Sequence, residues 1–171
     1  MTAFTTCSGV SVCLEEPSSE TIFIADIAFH LSRIPRWCGK ARRFYSVAEH
    51  SIRVSELVSP EMRLSALMHD ASEYVLGDVS SPLKTLLPDY RALERTWTAM
   101  IQNRFGFVDY PEVHEADRAM ALFERRALFE GFTQADGLSV KIIVTEQRQD
   151  DCGLVLDAFL AAFALYGGKR I

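Results

Sequence analysis

The sequence predicts an all-α fold, a helical bundle with a small N-terminal β-hairpin. Apolar residues recur at helical spacing through most of the chain, and proline, serine or glycine marks the successive helix ends. Near the N-terminus the apolar residues alternate instead, around the turn signal Ser8-Gly9 between Phe4 and Leu14. With 171 residues, of which 49% are hydrophobic, the chain is long enough for one domain with a sizeable core.

Capping signals set the bounds of the helices. Ser46 and Glu49 form a capping box, and Ser59-Pro60 combines a capping hydroxyl with a proline suited to the first helical position. The predicted helices cover residues 20–34, 46–58, 59–77, 89–105, 109 onward and 152–166. The β-branched run at residues 140–145 fits either a short strand or an extended connector. We therefore expect a hairpin or extension at 1–19, a core at 20–130, and a connector with a packing helix at 131–171.

Composition excludes several classes of protein. The net charge of −5 argues against a general nucleic-acid binder, and no apolar run is long enough to span a bilayer. We expect a soluble, cytoplasmic protein, because the N-terminus also lacks a basic region leading into an apolar core. The four cysteines show no CxxC spacing, which argues against a thiolate zinc site. We interpret them as reduced thiols, although a Cys7–Cys13 bridge also fits the sequence.

Polar residues on apolar helix faces are the unusual feature of the chain. His50 lies in an apolar stripe of the second helix, His69 and Asp70 lie beside the apolar face of the third, and Asp117 lies among apolar residues after Pro111. Buried charge is costly unless it is paired. Two imidazoles and two carboxylates together suit a divalent cation. The alternative is a hydrogen-bonded core histidine at His69 and an ordinary surface acid at Asp70.

Other charged residues lie near this predicted metal site. Glu73 and Asp78 would be free carboxylates beside it, suited to orienting a water nucleophile and protonating a leaving oxygen. A basic segment precedes the second helix and contains Arg33, Arg36, Lys40, Arg42 and Arg43. In an acidic protein this segment indicates either a small anionic ligand or a solvated basic loop.

The order His50, His69-Asp70, Asp117 resembles the H…HD…D pattern of the HD-domain metal-dependent phosphohydrolases. The short sequence motifs around these residues resemble those of the bacterial 5′-deoxynucleotidase branch: Arg36-Trp37, VAEHS at 47–51, MHDASE at 68–73, Gly77-Asp78, SPLK at 81–84 and EAD at 115–117. The resemblance covers roughly residues 20 to 125. It implies an HD-domain helical bundle and an enzyme that hydrolyses deoxynucleotides.

The resemblance also implies a role for each matching residue. A divalent metal ion, Co, Mn, Zn or Mg, would be bound by His50, His69, Asp70 and Asp117. Glu73 and Asp78 resemble the catalytic carboxylates, and which of them is base or acid stays open. Arg36 resembles the phosphate-contacting residue, Trp37 the wall for the deoxyribose, and Lys84 a second phosphate contact.

Three functions remain open on this resemblance. A 5′-deoxynucleotidase would release phosphate from dNMPs, and we expect this activity first. The short connection between the two histidine helices and the hairpin instead resemble compact phage and bacterial HD proteins, which include dATP triphosphohydrolases. A triphosphate needs more cationic contacts, which Lys40, Arg42 and Arg43 would provide. The third hypothesis is a non-catalytic regulator that binds nucleotides. The resemblance implies a homo-oligomer that acts on a small molecule.

Overall fold

The structure, a computed structural model, describes residues 2–130 and 151–169. Strands β1 (Ala3–Thr5) and β2 (Ser11–Cys13) pair antiparallel, with Phe4 opposite Val12. This confirms the predicted N-terminal hairpin. The run at residues 140–145, with most of the predicted connector, lies outside the described residues.

Helices make up most of the described residues and confirm the all-α prediction. They are α1 (Ile24–Leu31), α2 (Val47–Glu56), α3 (Arg63–Met68), α4 (Glu73–Leu76), α5 (Ser81–Lys84), α6 (Pro88–Phe105), α7 (Pro111–Arg125) and α8 (Cys152–Leu165). Short 3-10 turns cover Ser19–Thr21, Arg36–Gly39 and Pro60–Met62, and a π-helical turn, Arg126–Glu130, continues α7. None of the helices described is both long and apolar enough to cross a membrane.

Helix α2 lies at the centre of the bundle and packs against α1, α3, α7 and α8. The main core lies between α1, α2, α3, α6 and α8, with Trp97, Phe159 and Phe163 fully buried. A second, smaller apolar cluster joins α2, α3 and α7 and contains Val54, Ala66, Val113, Ala116 and Met120. Packing therefore holds α2, α3 and α7 together close to the inward polar residues, which lie on α2, on α7 and in the turn after α3.

The predicted third helix is interrupted. Helix α3 ends at Met68 and α4 begins at Glu73. Between them, Ala71 and Glu73 donate their backbone N–H groups to carbonyls three residues back rather than four, which tightens the turn. The expectation of a continuous helix is wrong for this reason. The prediction that the Ser59 hydroxyl caps this helix is wrong too, because the side chain makes no capping hydrogen bond.

The second predicted cap is confirmed in one half only. The Ser46 hydroxyl accepts the backbone N–H of Glu49 at 3.1 Å. The Glu49 carboxylate does not complete the box, because it bonds Arg53 Nη2 at 2.9 Å. The first predicted helix is also shorter than expected, since Ser19–Thr21 forms a separate turn before α1.

A buried aspartate fixes the hairpin to the bundle. Asp26 on α1 accepts hydrogen bonds from the Ser8 N–H at 3.0 Å, the Ser8 hydroxyl at 2.7 Å and the Cys7 thiol at 2.9 Å. All four cysteines are free, so the expectation of reduced thiols is confirmed and no bridge joins Cys7 to Cys13.

Candidate metal centre

Three segments of the bundle bring the predicted metal ligands together. His50 projects from α2, His69 and Asp70 from the turn after α3, and Asp117 from α7. His50, His69 and Asp117 each offer one ligand atom, and these atoms lie within 4.8 Å of one another. The Asp70 Oδ2 atom lies 3.2 Å from His69 Nε2 and 3.7 Å from His50 Nε2.

Hydrogen bonds on the far side of each imidazole set its tautomer. His50 Nδ1 lies 2.6 Å from Glu124 Oε1, and His69 Nδ1 lies 2.7 Å from the Ala66 carbonyl oxygen. Both partners are acceptors, so in the neutral form of each ring we assign the proton to Nδ1 and the lone pair to Nε2. Both Nε2 atoms are buried without a hydrogen-bond partner, and both face the carboxylates. This donor set fits a divalent cation, and the His50, His69 and Asp117 cluster can hold one.

The cluster attracts positive charge. Burial raises the pKa of Asp70, but the nearby charges of His69 and Arg36 outweigh burial and bring this pKa well below its usual range. Burial lowers the pKa of His69, but Asp70 and Asp117 outweigh it and raise this pKa to about 9. Either a proton on His69 or a bound metal ion can therefore compensate the negative charge of the two aspartates.

Arg36 is a buried guanidinium shared by three carboxylates. Its Nε lies 2.8 Å from Glu124 Oε2, and its Nη1 and Nη2 atoms each lie 3.4 Å from an oxygen of Asp70 and Asp117 respectively. Burial lowers the pKa of Arg36, but the three carboxylates raise it to a net value above the usual range. Arg36 therefore keeps its charge and lies beside the predicted ligands.

Trp37 adjoins Arg36 in an unusual backbone conformation. Trp37 has φ 62° and Cys38 has φ 51°, both in the left-handed region that side chains other than glycine seldom adopt. Such a residue costs on the order of 1–3 kcal/mol unless its surroundings hold it. The Trp37 indole N–H donates to Glu124 Oε2 at 3.3 Å, and its ring meets the Phe129 ring edge-on at 5.4 Å. These contacts hold the strained turn beside the cluster.

Glu73 and Lys84 form a second charged group near Asp70. Lys84 Nζ bonds Glu94 Oε1 and lies 3.6 Å from Glu73 Oε1. Burial raises the pKa of Glu73 well above its usual value, and the nearby charges of Asp70 and Asp78 raise it further. Glu73 therefore holds its proton to a higher pH than an ordinary glutamate, and the protonated carboxyl can donate to an oxygen atom. The backbone carbonyl of Asp78 accepts from the Cys38 thiol at 3.8 Å, which ties the Asp78 turn to the Trp37 turn.

The remaining predicted substrate contacts lie on the segment after the Trp37 turn. Lys40 is exposed, and the Arg43 guanidinium lies 5.6 Å from the centre of the Tyr45 ring. Within residues 2–130 and 151–169, neither Lys40 nor Arg43 forms an ion pair with any of the four predicted ligands. Their role in binding phosphate stays a prediction.

A cavity of about 410 Å³ opens beside the cluster. His69, Asp70 and Asp117 line one side, and Thr98 and Gln102 of α6 line another. The sequence assigned only packing to α6, so its part in this cavity is new. A cavity of this size falls within the range of small-molecule sites.

Comparison with known proteins gives the family. No protein-family model matches the chain. Over 130 residues the chain is 41% identical to the uncharacterized protein YfdR of Escherichia coli K12. The aligned region covers 75% of this chain and 73% of YfdR. The chain belongs to the YfdR family. It is also 41% identical, over 109 residues, to an uncharacterized protein of Rhodobacter capsulatus, covering 58% of this chain and 56% of that protein.

Two site residues of this YfdR-family protein were missed by sequence reasoning. Glu124 is 1% exposed and contacts His50, Arg36 and Trp37. It follows Asp117 by seven residues on α7, so its inward orientation was available from helical periodicity. Glu94, the partner of Lys84, had no such signal, because the turn between α5 and α6 decides that contact.

Proposed function

We propose that this protein is a metal-dependent phosphohydrolase of deoxynucleotides, acting as a 5′-deoxynucleotidase that releases phosphate from dNMPs. One observation carries the proposal: the buried Nε2 atoms of His50 and His69 face Asp117 and Asp70, and the Arg36 guanidinium lies 3.4 Å from both carboxylates. A cation site and an anion-binding group thus adjoin, as a phosphate ester requires. The resemblance to the HD-domain phosphohydrolases supports the same reading.

The ligand set of this proposal is His50, His69, Asp70 and Asp117. Mixed nitrogen and oxygen donors accept several ions, so Co²⁺, Mn²⁺, Zn²⁺ and Mg²⁺ are the cofactors to test. A bound divalent cation would supply positive charge toward a phosphoryl group and activate a water molecule.

The chain's own residues divide the remaining work. Arg36 would bind phosphate oxygens through its guanidinium fork, with Lys84 as a second cationic contact. Glu73, with its raised pKa, would hold a proton and deliver it to the leaving oxygen, while Asp78 would orient the water molecule. Trp37 would pack against the deoxyribose and disfavour a ribose 2′-hydroxyl.

Product analysis tests the proposal. The purified protein is incubated with each dNMP and dNTP in the presence of Co²⁺, Mn²⁺, Zn²⁺ or Mg²⁺, and the products are separated. Orthophosphate from dNMPs is the expected result. His69→Ala should abolish turnover, whereas the matched control His30→Ala should retain it, because His30 accepts from the backbone N–H of Cys7 in the hairpin instead. No turnover of any nucleotide would contradict the proposal.

A second candidate is a dNTP triphosphohydrolase of the dATP type. The observation that favours it is the basic segment with Lys40, Arg42 and Arg43, which would supply cations for a longer phosphate chain. Tripolyphosphate released from dNTPs in the same assay would identify this activity. A non-catalytic nucleotide-binding regulator instead predicts nucleotide binding without turnover. A homo-oligomer in the cytoplasm is part of our proposal, and sedimentation of the purified protein measures its assembly state.

A further inference from the structure

We infer that Glu124 is a positioning residue that couples the metal ligand His50 to the Arg36–Trp37 pair. This inference rests on the proposed function, because it gives a role to Glu124 within the same site. Its basis is that one buried carboxylate uses both oxygens for these partners, one for the imidazole and the other for the guanidinium and indole.

The first oxygen determines how His50 meets a metal ion. Oε1 accepts from Nδ1 at 2.6 Å, so Nε2 is left as the only ring nitrogen with a free lone pair. A carboxylate that accepts from the second ring nitrogen makes the imidazole a stronger metal ligand and fixes its orientation.

The second oxygen determines where the substrate-facing side chains lie. Oε2 accepts from Arg36 Nε at 2.8 Å and from Trp37 Nε1 at 3.3 Å. Trp37 sits at a positive φ, so its position depends on such contacts rather than on backbone preference. A metal ion bound to His50 would therefore act on Trp37 through the single carboxylate of Glu124.

The matched variants are Glu124→Gln and Glu49→Gln. Both remove one negative charge from a buried glutamate near His50, but the Glu49 carboxylate bonds Arg53 and touches neither His50 nor Trp37 in the contacts of the described chain. Glu49→Gln thus controls for the loss of charge and for the change of side chain. Metal affinity and the tryptophan indole N–H signals compare the variants without any nucleotide.

The first readout is metal affinity. We expect Glu124→Gln to weaken Co²⁺ binding by about 10- to 100-fold, the usual effect of removing a carboxylate behind a metal-bound histidine. Glu49→Gln should change it by less than about twofold, because it leaves the His50 hydrogen bond intact. Equal Co²⁺ affinity in Glu124→Gln and the parent protein would overturn the inference.

The second readout is the pair of tryptophan indole N–H signals in ¹H–¹⁵N spectra. Zn²⁺ should shift the Trp37 signal of the parent and leave that of Trp97, which donates to the Leu14 carbonyl at 3.0 Å. In Glu124→Gln this metal-induced Trp37 shift should be lost, while an unchanged Trp97 signal reports a folded bundle. If the variant does not fold, the parent spectrum still decides, because an unmoved Trp37 signal refutes the coupling. If the parent protein turns over no nucleotide but Zn²⁺ still shifts its Trp37 signal, the proposed function is rejected and the coupling through Glu124 is retained.

Discussion

Removal of the Arg36 charge tests whether the cluster is built to be neutralised by a cation. In Arg36→Met the side chain keeps its approximate length, but Asp70, Asp117 and Glu124 lose their shared cationic partner. The metal-free variant then holds three carboxylates around His50 without that compensation. We expect it to be much less stable than the parent, and we expect a divalent cation to restore part of the loss.

The magnitude follows from the two outer contacts. At 3.4 Å and an effective dielectric constant of about 20, each pair is worth roughly 5 kcal/mol of Coulomb energy before desolvation is counted. Desolvation offsets most of this, and removal of one partner from a buried pair costs about 3–5 kcal/mol of unfolding free energy. For a protein of this size, we expect the melting temperature of the metal-free variant to fall by roughly 6–20 °C.

Thermal unfolding with EDTA and with saturating Zn²⁺ measures both effects. The cation should raise the melting temperature more in Arg36→Met than in the parent, because it neutralises carboxylates that Arg36 no longer neutralises. Arg53→Met is the matched control: it leaves Glu49 unpaired and lowers the melting temperature equally with and without Zn²⁺. A metal-free Arg36→Met protein that melts within about 2 °C of the parent would refute the reasoning.

Three further predictions concern other parts of the molecule. Glu73→Gln should lower kcat by about 10²- to 10⁴-fold with unchanged metal content, measured by phosphate release and elemental analysis, and unchanged turnover would show that Glu73 is no proton donor. The parent should hydrolyse dAMP at least roughly tenfold faster than AMP, with a smaller ratio in Trp37→Ala, and equal rates in the parent would contradict the role of the indole. Burial raises the pKa of Asp26, but hydrogen bonds from Cys7 and Ser8 outweigh burial and give a net lowering. The ionised Asp26 carboxylate therefore stabilises the fold fully above the unfolded-state pKa, and this stabilisation is lost as the pH falls through the lower folded-state pKa. Asp26→Asn should therefore cost about 1–3 kcal/mol at pH 7 in urea unfolding and flatten the acid limb of the stability curve; a limb as steep as that of the parent would speak against this.

The parts of the fold that follow from neighbouring residues were predictable. Prolines at the starts of α6 and α7 and glycines after α6 and α8 mark those helix ends, because these residues act on the backbone next to them. Helical periodicity likewise placed His50 among buried apolar residues. Periodicity failed between Met68 and Glu73, where tighter turns interrupt the helix without any proline or glycine to signal the break.

The sequence by itself determined the all-α class, the hairpin and the inward faces of the helices that carry His50 and Asp117. These features depend on residue spacing, which is visible without coordinates. Only the tertiary structure decided that Glu124 joins His50 to Arg36 and Trp37 across α2 and α7, because hydrogen bonds between distant segments depend on how helices pack. The positive φ of Trp37 belongs to the same group: a tryptophan does not favour that conformation, and contacts from other parts of the chain impose it.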